Sequence, residues 1–352
     1  MLKTAKITAW LTILIIHLAV SPSAYAEDMV INGAGASFPF PIYSKWAYRY
    51  YKNTSTKINY LSIGSGGGIA QIKSNTIDFG ASDAPLLPAE LEEYGLVQFP
   101  LIIGGIVPVY NESITSSGLK LTGQVLSDIF LHKIIRWNDP KIQELNPDRE
   151  LPDKEITVIH RSDPSGSTWI FTNYLCKVSE DWKSGIGNGK AVPWPSGIGA
   201  KGNEGAATFV QRIDGAIGYV EFAYAVQNNL AFISLQNKSG NFVSPAIETF
   251  QQAAENADWQ NSNQYYVVLT DQPGDRSWPI TGASFILMRK HQQSTERVKA
   301  LLDFFAWCYA NGDALAIELD YIPIPDSVVA IINKMWENDI KADGQPVWNY
   351  DE

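Results

Sequence analysis

The sequence predicts an α/β protein, with strands separated by helices and the sheets covered on both faces. Three observations carry that expectation. Short apolar runs alternate along the chain with stretches of helical period. The loops between them are rich in glycine and serine at the points where strand gives way to helix. The 352 residues are 45% hydrophobic and 18% charged, which suits a large buried core and falls below the ~25% charge of average soluble domains. A chain of this length is expected to form about two domains.

The first 26 residues read as a leader. Lys3 and Lys6 precede an apolar run at 7–20, and small residues at Ala24 and Ala26 mark a cut after Ala26. The run is shorter than the ~20 residues that span a bilayer, so a secretory signal peptide is expected rather than an anchor. No cysteine near the cut offers a thiol for lipid attachment.

Beyond the leader, 29–32 is expected as a strand and 42–51 as a helix. Residues 58–63 alternate like a strand, and 67–73 looks like the first turns of a helix. Further strands are expected at 77–80, 99–110, 156–161, 215–220 and 285–288. Helices are expected at 167–177, 221–228 and 295–311. The run 99–110 is long for one strand, and Gly104 and Gly105 near its middle suggest a crossing between domains. A second crossing is expected near Trp278-Pro279-Ile280.

Charge narrows the function. With 27 basic and 37 acidic residues the net charge is −10, and loss of the leader removes two lysines and no acid. A nucleic-acid binder needs basic surface, so that class is excluded. Cys176 and Cys308 lie in separate helical stretches, where two unpaired thiols are expected ahead of a disulfide.

Four segments carry the candidate chemistry. They are residues 33–39 (GAGASFP), 64–68 (GSGGG), 78–85 (DFGASDAP) and 161–167 (RSDPSGS). In three of them, glycines and a hydroxyl residue sit where a strand hands over to a helix N-terminus. Unpaired N–H groups and partial positive charge there form an anion site. Ser37, Ser65, Ser165 and Ser167 add hydroxyl donors. Ordinary N-capping explains any one of these loops. Three of them, together with Arg161 and Asp83, point to a ligand. Arg161 reads either as half of an ordinary surface salt bridge with Asp163, worth only ~0–1 kcal/mol, or as a ligand contact; the two are compatible, since a fork held by Asp163 still presents N–H groups. Asp83 repels an anion, so it reads either as a turn residue ahead of Pro85 or as the acceptor of a proton carried by the ligand.

Enzyme-like matches fail on context. The GIGAKG of 197–202 fits a dinucleotide fingerprint, but it follows Pro193-Trp-Pro195 rather than an apolar strand. The GASDA of 80–84 departs from a nucleophile elbow at its fifth position, and Pro85 and Pro88 oppose an immediate helix. No HExxH or CxxC pattern is present, so neither a metal nor a cofactor is expected. His160 adjoins Arg161 in a strand, and their side chains are expected to face opposite ways.

At these four segments the chain resembles the periplasmic phosphate-binding proteins of high-affinity phosphate ABC transporters. The resemblance extends over 32–41, 63–68, 75–85, 161–168, 202–205, 211–224 and 323–329. It implies a two-lobed, type II periplasmic-binding-protein fold, each lobe a mixed, mostly parallel sheet flanked by helices with the ligand between them. Lobe I would combine 27–102 with 279–352, and lobe II would be 103–278. It further implies a non-enzymatic, monomeric periplasmic protein that binds inorganic phosphate and delivers it to the permease and ATPase components of an importer. The implied ligand contacts are Ser37, Phe38 through its backbone N–H, Ser65, Asp83, Arg161, Ser165, Gly166 and Ser167, with Asp163 orienting Arg161. Ser37 and Ser167 stand where close relatives often have Thr, Gly66 where they have a second Ser, and Pro164 where they have Gly. Rival readings are a binder of another tetrahedral oxyanion, a secreted phosphate-ester hydrolase with a serine nucleophile, and an adhesion protein that uses the scaffold without a ligand.

Overall fold

The computed structural model describes residues 29–115, 118–259 and 263–349; the expected leader and its cut lie outside them. One nine-stranded sheet runs through the molecule. Its strands are β1 (Val30–Gly35), β2 (Lys57–Ser62), β3 (Phe79–Ser82), β4 (Leu96–Tyr110), β5 (Thr157–Arg161), β6 (Ile198–Ala200), β7 (Ala216–Glu221), β8 (Ala231–Phe232) and β9 (Thr281–Arg289). Their order is β2-β1-β3-β9-β4-β7-β5-β6, with β8 also against β4.

The 99–110 run proves to be the middle of a single 15-residue strand, β4, buried at every position. It is long because it serves two half-sheets in series. Residues Leu96 to Gly105 pair with β9, and Ile106 to Tyr110 pair with β7. Both are antiparallel, as strands carrying the chain out and back must be. The parallel pairs lie on the flanks: β1 with β2 and β3 on one side, β5 with β6 and β7 on the other. The result is the two-lobed α/β fold expected, with the antiparallel strands at its centre.

Where β4 leaves one half for the other, Ile106 N–H donates to the Ile280 carbonyl and Trp278 Nε1 donates to the Ile106 carbonyl. Trp278 is fully buried, so this bond satisfies the one polar atom of a large apolar side chain. The outgoing and returning chains therefore run side by side, tied by backbone and indole.

Helices pack against the sheet. α1 (Phe40–Thr54), α2 (Ser65–Lys73), α3 (Gly166–Val178), α4 (Gly202–Arg212), α5 (Phe222–Gln227), α6 (Thr295–Asn311) and α7 (Asp326–Asp339) are the main ones. The first five each start immediately after a strand or a short turn. β1 approaches β3 closely: a Cβ on Gly35 would lie 2.0 Å from the Ala81 carbonyl oxygen, so only glycine fits. Two small three-stranded sheets lie outside the main one. Cys176 and Cys308 are both free thiols. Among the described residues, no helix is long and apolar enough to cross a membrane.

Candidate functional site

The segments picked out by sequence meet at the edge where strands end and helices begin. Ser37 follows β1, Ser65 opens α2, and Asp83 follows β3, all on one half of the sheet. Arg161 ends β5, Ser165 is the N-cap of α3, and Gly166 and Ser167 form its first turn, on the other half. Ser37, Ser65, Asp83, Arg161, Ser165 and Ser167 are all at most 4% exposed.

Bonds cross between the halves. Ser65 Oγ accepts from Gly166 N–H at 3.0 Å and from Asp83 N–H at 3.2 Å. The Gly66 N–H donates to the Pro164 carbonyl at 3.0 Å. Glycine is required at these contacts. A Cβ on Gly166 would fall 2.5 Å from Ser65 Oγ and 2.6 Å from an Asp83 carboxylate oxygen, and one on Gly66 would fall 2.5 Å from Pro164 Cβ. Two departures from the resembled pattern, Gly66 for Ser and Pro164 for Gly, thus face each other: the proline fills the space left by the missing side chain.

Arg161 is held rigidly. Its Nε and Nη2 donate to the two oxygens of Asp163 in fork-to-fork geometry. Asp163 also accepts from Gly202 N–H at 3.0 Å. Burial pushes the Asp163 carboxyl up, but the bonds and charge of Arg161 and the Gly202 bond outweigh it and hold the group below the usual carboxylate range. Arg161 Nη1 is buried without a hydrogen-bond partner. Asp83 Oδ1 is likewise buried and makes no close hydrogen bond, with the equally unpartnered Ser284 hydroxyl nearby. Burial raises Asp83 to about 7; the Ser284 hydroxyl, the Arg161 charge and the Ser65 hydroxyl pull it down without offsetting the burial.

The remaining expected contacts are placed as follows. Ser165 Oγ accepts from Thr168 N–H, so it does cap α3, and its own proton remains to be donated. The Gly166 N–H is directed at Ser65 Oγ. Phe38 is fully buried with its ring near Tyr321, and its carbonyl accepts from the Tyr321 hydroxyl. His160 stacks on Trp194.

Sequence reasoning missed Asn203. It is the second residue of α4, fully buried, and bonds both Ser37 and Ser167. The reason is instructive. The 197–202 motif was rejected for want of an apolar strand before it. In the structure, a three-residue strand (β6) lies within the motif and pairs in parallel with β5, and Gly202 then opens a helix. The region is a fourth strand-to-helix loop, but the strand is too short and too exposed to read from composition. Tyr224, whose hydroxyl donates to the Ser37 carbonyl, was also missed.

Ser82 Oγ is occupied by the Ala84 backbone, donating to its carbonyl at 2.7 Å. Among the described residues, no cluster of His, Cys, Asp and Glu is arranged to hold a metal ion.

The sequence profile of the PBP superfamily domain matches residues 20–308. The chain is 54% identical over 336 residues to the phosphate-binding protein PstS of Pasteurella multocida, covering 94% of this chain and 98% of that one. It is 52% identical to the phosphate-binding protein PstS of Haemophilus influenzae, covering 92% and 97%. Among solved structures, a high-affinity periplasmic phosphate-binding protein bound with phosphate superposes with a TM-score of 0.69 at 21% identity. That match covers 87% of this chain and 93% of that one.

Proposed function

Because this chain belongs to the family of PstS phosphate-binding proteins within the PBP superfamily, we propose that it binds inorganic phosphate between its two lobes for import. The observation that carries the chemistry is the unmatched pair at the cleft: a buried cationic donor, Arg161 Nη1, and a buried acceptor, Asp83 Oδ1. Leaving a buried polar group unpaired costs roughly 1–3 kcal/mol, and more when it is charged. A monoprotonated phosphate presents acceptor oxygens to the first and a hydroxyl to the second, so it relieves both at once.

Arg161 is already neutralised by Asp163, so the cleft brings no net positive charge of its own. Attraction comes instead from Arg161 Nη1, serine hydroxyls and the N-termini of α1, α2, α3 and α4, whose dipoles need no reorganisation. This reconciles an acidic protein with an anionic ligand. Ser37, the Phe38 N–H, Ser65, Ser165 and Ser167 complete the donor set in this reading, Gly166 joins them once its N–H turns from Ser65 Oγ to the ligand, and Asp83 accepts the ligand's proton. Sulfate lacks that proton and, wherever Asp83 is charged, meets a carboxylate in a dry cleft, which disfavours it.

The lobes in this reading are 27–102 with 279–352, and 103–278. They close on the ligand because donors come from both. The protein works as a monomer in the periplasm after removal of its leader at Ala26, without a lipid anchor, and hands phosphate to the permease and ATPase of an ABC importer. It performs no chemistry on its ligand. Calorimetric titration of ligand-stripped protein tests the reading: one phosphate per chain and far weaker sulfate binding are expected, and no phosphate heat would refute it.

A further inference from the structure

The hydroxyls of Ser37 and Ser167 can each serve as donor or acceptor, and a site for a mostly deprotonated anion needs them as donors. Nothing in a serine itself decides this. In the structure Ser37 Oγ accepts two hydrogen bonds from Asn203, one from its backbone N–H at 3.2 Å and one from its side-chain Nδ2 at 3.0 Å. With both lone pairs engaged, the Ser37 proton must be donated elsewhere. The second Nδ2 proton of Asn203 goes to Ser167 Oγ at 3.3 Å, across the cleft from Ser37. The amide is not free to turn over, because its Oδ1 accepts from the Glu221 backbone N–H at 3.1 Å.

We propose that Asn203 is a positioning residue that sets Ser37 and Ser167 as hydrogen-bond donors toward phosphate, by turning its amide N–H groups onto both hydroxyl oxygens. The proposal rests on the phosphate reading of the cleft. It assigns to α4 a part in ligand selection without contact with the ligand: through Ser37 and Ser167, Asn203 links the two halves and fixes the sense of their hydrogen bonds. An acceptor at this position would reverse both hydroxyls and turn lone pairs toward the anion.

Two near-isosteric variants separate this role from simple support of the fold. In Asn203→Asp a carboxylate oxygen replaces the amide nitrogen, so both serines donate inward to it. In Asn203→Leu the hydroxyls are left undirected. The charged and titratable groups around the position are Glu221, Asp163 bonded to Gly202, Glu204, Tyr224 on Ser37, and Asp83 and Arg161 across the cluster. All are present in both variants and in the unaltered protein, so each variant is read as a ratio to it at the same pH.

Phosphate titrations of ligand-stripped protein between pH 5 and 8 are the test. Asn203→Asp is expected to bind at least about a hundredfold more weakly at pH 8, the lower bound for two lost bonds to a charged ligand. Its deficit should shrink at least tenfold toward pH 5 as the new carboxyl takes up a proton. Asn203→Leu is expected to bind about tenfold more weakly with a deficit that does not change with pH. Equal binding by Asn203→Asp and the unaltered protein at pH 8, or equal pH-independent deficits in the two variants, would overturn the proposal. If Asn203→Asp does not fold, Asn203→Leu alone decides, since undiminished binding by it would also overturn it. Failure of the unaltered protein to bind phosphate is a separate outcome, which defeats the underlying reading instead.

Discussion

Replacing Asp83 by asparagine changes one oxygen to an amide nitrogen in a fully enclosed position, 2% exposed, and should alter selectivity more than fold. Burial raises the Asp83 carboxyl from 3.8 to about 7. At ~1.4 kcal/mol per pH unit, holding it charged there costs on the order of 4 kcal/mol relative to water. A carboxyl raised in this way keeps its proton below about 7 and loses it as pH rises through that value. Phosphate brings its own proton and is served by the charged form. Sulfate brings none, and binds well only when Asp83 carries one. With Asp83 at about 7, roughly nine in ten molecules are protonated at pH 6 and one in ten at pH 8. Sulfate affinity should therefore rise about tenfold as pH falls from 8 to 6, by the same relation. In Asp83→Asn the amide donates to an unprotonated oxygen, so sulfate affinity should be flat with pH. Phosphate should lose a charge-assisted bond, ~1.5–3 kcal/mol or roughly ten- to hundredfold. Paired calorimetric titrations at several pH values measure all of this. An unchanged preference for phosphate over sulfate in Asp83→Asn would refute the reasoning.

The same geometry makes further predictions. Arg161→Met should abolish phosphate heats and lower the melting temperature, because it leaves the partly buried Asp163 carboxylate without its cation, a loss smaller than the ~3–5 kcal/mol of a fully buried pair since the Gly202 N–H bond remains; adding Asp163→Asn should recover stability without binding. Gly166→Ala should weaken phosphate binding strongly while barely changing the melting temperature of ligand-free protein, since its Cβ collides with Ser65 and Asp83, which belong to the opposite half. Gly66→Ser should weaken binding by opposing Pro164, and Pro164→Gly should restore it in the double variant, a coupling that a double-mutant cycle would read. Small-angle X-ray scattering should give a smaller radius of gyration with phosphate than without it; an unchanged value would count against closure.

Much of the fold was legible because its signals are local. α6 matches the expected 295–311, and β4 needed only extension at its start. The expected helix at 67–73 opens two residues earlier, at Ser65, because helical geometry begins ahead of its apolar face. The antiparallel centre was less visible: pairing direction depends on where the chain returns, and β9 is separated from β4 by about half the sequence. At the site, residues whose own segment carries glycine, serine and charge together were found. Asn203 was not, because its part depends on a three-residue strand and on partners distant in sequence. The compensation between Gly66 and Pro164 was equally hidden, since each looks like a lone departure until their contact is known.

A crystal structure of the protein with phosphate tests the central claim most directly. The account predicts one tetrahedral anion enclosed between the halves, with an oxygen on Arg161 Nη1, a hydroxyl on Asp83 Oδ1, and the Ser37 and Ser167 hydroxyls directed at it. An anion bound elsewhere, or one in the cleft that touches neither Arg161 nor Asp83, would contradict it.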